Sequence, residues 1–136
     1  MQDLELAWET FEFHNASIIN GEVELTNRLF DLNNILDKDD LVSTQEDYKK
    51  SRRQRNYIVN KIIKSSNILI NTYVKQNASL EDLIIIYRDH SLHGVPIPPE
   101  REVPTRYLLE LKNTNATLIE QIKVQREKYK SLLFDF

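Results

Sequence analysis

The sequence predicts an all-α fold: an elongated antiparallel helical bundle, with coiled-coil character, of three long helices plus one short helix. Three observations carry that expectation. Apolar side chains recur at alternating three- and four-residue intervals, the spacing that lines one face of a helix. Two glycines and four prolines serve 136 residues, so material for sheet turns is scarce. Charge is also sorted by position. Residues 1–47 carry twelve Asp/Glu against Arg28 and Lys38, residues 48–76 carry eight Lys/Arg and no acid, and the rest is nearly balanced, within a net charge of −3. An acidic helix followed by a basic one can fold back on itself or select a partner of opposite sign.

The first helix is expected over residues 3–38. Its seam runs Leu4, Trp8, Phe11, Asn15, Ile18, Glu22, Leu25, Leu29, Leu32 and Leu36, with Trp8 at a heptad a position and Phe11 at d. Ile19, Val23 and Phe30 form a second strip beside it. Two strips bury against two neighbours, which suits a bundle better than a lone dimer. Asn20-Gly21 falls inside this run. One glycine costs about 1 kcal/mol in a helix and no alternating strands flank it, so the helix is read as continuous or slightly bent. Asp37, Asp39 and Asp40 then oppose the negative end of the helix dipole.

Ser43-Thr44-Gln45-Glu46 matches a capping box, with Ser43 as N-cap, and opens a second helix over 44–76. Val59, Ile62, Ser66, Leu69 and Tyr73 form its seam. Asn77-Ala78-Ser79 reads as a break. Ser79, with Asp82 three residues on, then starts a short helix over 80–91 that Gly94 stops. Residues 94–104 hold Pro96, Pro98, Pro99 and Pro104 and are expected as an extended linker, a stiff crossover rather than a docking motif. The last helix, 105–135, follows Leu108, Leu111, Asn115, Leu118, Ile122, Gln125, Tyr129, Leu132 and Phe136. A single domain is expected over 1–136. In helix count and length alone the arrangement resembles spectrin-type repeats and the helical N-terminal domains of membrane-fusion syntaxins.

Composition narrows function by class. The 29 % charged and 40 % hydrophobic fractions are those of a globular chain. No cysteine is present, which removes disulfides and thiolate metal sites and leans toward a reducing compartment. No apolar run approaches the ~18 residues of a membrane helix. The start, Met-Gln-Asp-Leu-Glu, is acidic where a secretory signal is basic. The expected location is the nucleus or cytoplasm, away from membranes. No nucleophile elbow, P-loop or metalloprotease helix occurs, and two glycines leave little for close backbone approach to a cofactor. No enzyme activity, cofactor or metal is expected. His90 and His93 are read as helix-end cations rather than a metal pair. The sequons at Asn15, Asn77 and Asn115 are read as chance.

The sharpest local feature is the basic cluster Lys49, Lys50, Arg52, Arg53 and Arg55. Extended backward, the second helix's seam puts Arg52 and Arg55 at core positions. Either the core stops short of this end or acids lie opposite, because an unpaired charge in a dry core is costly. A hairpin turning near residue 41 sets Asp31 and Glu24 before this cluster. It leaves Asp3, Glu5, Glu9 and Glu12 facing residues 70–79, where Lys75 alone answers. The candidate partner-binding residues are this cluster together with Ile19, Val23 and Phe30. Asn15 and Asn115, both at a positions, are candidates for setting register. The expected function is a non-catalytic helical scaffold or adaptor subunit that binds a helical protein, or a second copy, within a larger complex. The alternative is a nucleic-acid-associated or nuclear factor using residues 49–55. It ranks second because the net charge is negative and no aromatic stacking platform is evident.

Overall fold

The computed structural model describes residues 3–39 and 44–135, residues 38 and 39 by their backbone alone. The described residues are helical apart from their connections, with no strand among them. Helix α1 spans Leu4–Asp39, α2 spans Gln45–Leu92 and α3 spans Thr105–Lys130; a 3-10 turn, Pro99–Arg101, lies between α2 and α3. The three helices pack against one another in two compact units. Unit 1 holds residues up to 18 together with 71–120, and unit 2 holds 19–70 together with 121–136.

The expected break at 77–79 is absent: the short helix 80–91 is the end of α2. Its seam continues without a skip through Tyr73, Gln76, Leu80, Leu83, Tyr87 and His90, all buried. Gln76 is the polar member that hides this continuity in the sequence. Ser79 is absorbed by a bond from its hydroxyl to the Lys75 carbonyl one turn back, a common fate for a mid-helix serine.

The ends of the helices follow local chemistry. Asp3 caps α1 by accepting from the Glu5 N–H (3.0 Å). At α2 the cap sits one residue later than expected: Thr44 Oγ1 accepts from the Asp47 N–H (3.2 Å). Ser43 lies outside the described residues. Gly94 adopts φ 64°, and the Val95 N–H reaches back to the His90 carbonyl while the Gly94 N–H reaches Ser91. That pair of bonds is the Schellman stop, and Pro96 follows it. Helix α3 ends at Lys130 rather than 135; a turn at 131–132 follows, and residues 133–135 are not helical.

In unit 1 the core gathers Leu4, Trp8, Leu80, Leu83, Ile84, Ile86, Tyr87 and Leu108. Ile97 and Val103 pack on it from the proline-rich connection. In unit 2 Leu32, Val59 and Ile62 are buried, flanked by Leu25, Leu29, Tyr129 and Leu133. Within each unit α1 and α2 run antiparallel: Asn15 meets Gln76 in unit 1, and Gly21 faces Leu69 in unit 2. This register differs by more than two helical turns from a hairpin turning at 41. Position 24 therefore does not oppose position 58. In unit 2 the first turns of α2 carry exposed side chains over residues 44–50.

Glycine 21 marks a close approach of the two helices rather than an unusual backbone angle. A Cβ there would lie 3.1 Å from Leu69 Cδ1, so its absence lets the two helices close on each other.

Candidate interaction surface

Unit 1 resolves the acidic start of α1. Arg101, in the 3-10 turn, forks onto Glu5 (3.0 and 3.2 Å) and reaches Glu12 (3.3 Å). The expected acidic tip is thus answered from the connection, not from residues 70–79. The Arg101 guanidinium also lies over the Trp8 ring, 5.3 Å from its centroid. Trp8 Nε1–H donates to the Tyr87 hydroxyl (3.0 Å), which in turn donates to the Arg101 carbonyl. Hydrogen bonding from Arg101 holds the Glu5 carboxyl below its ordinary value, against a smaller opposing effect of desolvation. Burial raises the Tyr87 phenol, which keeps it a donor. This constellation pins the proline-rich connection; its chemistry is that of a latch.

The register candidates Asn15 and Asn115 each bond Gln76, which stands between them. Gln76 Nε2 donates to Asn15 Oδ1 (2.9 Å), and Asn115 Nδ2 donates to Gln76 Oε1 (2.8 Å) and to Asn77 Oδ1 (3.0 Å). Asn77 Nδ2 donates onward to the Lys112 carbonyl (3.1 Å). Each of the three Asn-Ala-Ser/Thr tripeptides contributes its asparagine to this one network, one from each helix. Gln76 is the residue that sequence reasoning missed. Its place at the next seam position after Tyr73 was the available signal.

Unit 2 places the basic cluster at the exposed start of α2. Arg52 and Arg55 meet an aromatic ring. Their guanidiniums lie over the Phe134 ring, at 5.4 and 4.7 Å from its centroid. Phe134 is fixed there by Asn56, whose Nδ2 donates to its carbonyl (2.7 Å) and whose Oδ1 accepts from its N–H (2.8 Å). Cations occupy the backward extension of the seam because an aromatic face, not an aliphatic core, covers them. Lys49, Lys50 and Arg53 are exposed.

The second strip of α1 is exposed in unit 2: Ile19 at 58 %, Val23 at 56 % and Phe30 at 65 %. Ile19 and Val23, with Glu22, Thr26 and Asn27, line a shallow groove of about 320 Å³. Among the described residues no group of three or more His, Asp or Glu is placed to hold a metal ion. His90 is buried, and its Nδ1 has no hydrogen-bond partner. No helix among the described residues is long and apolar enough to cross a membrane. No protein-family model matches the chain, and neither the curated proteins nor the solved structures give a significant match.

Proposed function

We propose that this chain is a non-catalytic helical scaffold or adaptor subunit that binds protein partners within a larger complex in the nucleus or cytoplasm. Coiled-coil packing against the outer face of α1 is the proposed mode. The supporting observation is the exposed row Ile19, Val23 and Phe30, spaced at four and seven residues so that it follows one side of the helix. A partner helix laid along this row would bury apolar surface worth about 25 cal/mol per Å². Asn15 and Asn115 would fix the register of the chain's own helices, as polar groups at core positions do.

The experiment is quantitative co-purification from cells that express the chain natively, with and without Ile19→Asp, Val23→Asp and Phe30→Asp together. These positions are exposed, so circular dichroism should show an unchanged helix content. A stoichiometric set of partners lost with the triple variant is the expected outcome. An unchanged partner set would refute this role for the stripe.

A second proposal, a nucleic-acid-associated factor, draws on the exposed cations Lys49, Lys50 and Arg53. It requires binding to duplex DNA or RNA that falls steeply with salt.

A further inference from the structure

Unit 2 holds a groove of about 610 Å³ between α1 and α2. Four cations line it, Arg28, Lys50, Arg53 and Lys61, against one carboxylate, Asp31. Its apolar lining comes from Ile35 on α1 and from Tyr57 and Ile58 on α2. We propose that this groove is a docking site for one acidic, amphipathic helix of a partner protein. The proposal deepens the scaffold role above by naming a second surface and the chemistry of what it takes.

Charge complementarity argues for the occupant. The Arg28 Nε–H has no acceptor although the atom is buried, and the contact of Arg28 Nη1 with Asp31 is long, at 3.7 Å. Lys61 lies over the Tyr57 ring (4.8 Å). Hydrogen bonding from Lys61, then its charge, lowers the Tyr57 phenol, with a smaller contribution from Arg28. Cations of both helices therefore act on the same volume.

Spacing argues for a helix. Lys50, Gln54, Tyr57 and Lys61 follow four-, three- and four-residue steps along α2, about three turns or ~17 Å. A partner helix with acids at matching steps could meet Lys50 and Lys61 at either end while its apolar residues cover Ile35 and Ile58. Nucleic acid fits less well. A phosphate backbone gains nothing from an isoleucine floor and is repelled by Asp31. Single-strand binders use a series of aromatic platforms for successive bases, where this groove offers Tyr57, whose ring Lys61 already covers.

The test is calorimetric titration of the full chain with a synthetic Glu/Leu heptad peptide three turns or more in length. A Lys/Leu peptide and a DNA duplex serve as comparators. Binding of the acidic peptide alone is expected. Lys50→Glu with Lys61→Glu should weaken it by about tenfold or more, as charge pairs across an interface do. Lys128→Glu with Lys130→Glu makes the same charge change on exposed positions of α3, outside the groove, and should leave binding within about twofold. No binding of the acidic peptide overturns the proposal. So does equal weakening by both variants, which would show a net-charge effect, and so does tighter binding of the duplex, which would assign the groove to nucleic acid. Because this titration needs no native partner and leaves Ile19, Val23 and Phe30 intact, its failure is distinguishable from failure of the scaffold role.

Discussion

Asparagine 115 is the residue on which the polar layer of unit 1 depends. It is buried, and it supplies the donor to a buried Gln76. Removing a partner of a buried polar group costs more than the bond itself is worth, because the remaining group stays desolvated. Asn115→Ala should cost about 1–3 kcal/mol in urea unfolding, and Asn15→Ala, at an exposed position, distinctly less. Equal costs would mean that Gln76 finds another donor. At Gly21 two effects oppose. Alanine gains about 1 kcal/mol of helix propensity, but its Cβ meets Leu69, itself 2 % exposed and unable to retreat into solvent. Gly21→Ala is expected within about 0.5 kcal/mol of neutral, while Gly21→Val should cost more than about 1 kcal/mol by overpacking. A gain of a full kilocalorie for alanine would show that the two helices can separate there at little cost.

Among the elements, the connection between α2 and α3 is held by charge as well as by Ile97 and Val103. The Glu5 carboxyl is lowered by its bond to Arg101, so its contribution is present above the unfolded value and is lost as pH falls through the folded one. Stability should therefore drop on acidification below the ordinary glutamate range of about 4.3. Arg101→Ala should drop less over the same window, measured as urea midpoints at neutral and acid pH. Identical pH dependence would mean that the fork contributes nothing in solution. Much of this level was legible in the sequence. The α2 seam Val59, Ile62, Ser66, Leu69 and Tyr73 is buried as its spacing predicts, as are Leu4, Trp8, Ile18 and Leu32 of α1 and Leu108 and Asn115 of α3. The stop at Gly94 follows from its residue type. Leu36 and Leu132, expected in the seams, are exposed, and the buried Ile119 was not expected. The continuity of α2 was not legible, because a run of Gln, Asn, Ala and Ser resembles a break until partners from the other two helices are known. The clamp of Asn56 on Phe134 was hidden for the same reason: its two halves are 78 residues apart and neither has a local signature.

For the whole molecule, the two units differ in how completely they bury their cores. Leu80, Leu83, Ile86 and Leu108, all under 2 % exposed, belong to unit 1; in unit 2 only Val59 and Ile62 among the described residues are so enclosed. Local opening is easiest where few apolar contacts must be lost. Hydrogen-exchange mass spectrometry should find the amides of residues 80–90 among the slowest and those of residues 45–54 among the fastest within helices. Uniform protection along α2 would contradict this difference. The candidate surfaces were legible only as composition. Ile19, Val23 and Phe30 could be assigned to one strip, but whether it faces a neighbour or solvent depends on where α2 and α3 lie. Likewise the basic run could be seen, while its division between an aromatic cover for Arg52 and Arg55 and a groove for Lys50 and Arg53 required the α1–α2 register.

The chain has one tryptophan, and it stands inside the latch, 8 % exposed, beneath a guanidinium and bonded to a phenol. Its emission spectrum is therefore a built-in gauge of that one connection: blue and sensitive to the cation above it while Arg101 is seated, red once water reaches the indole. Lifting of the segment could be timed in the unlabelled protein by rapid mixing, without a dye and without altering a residue.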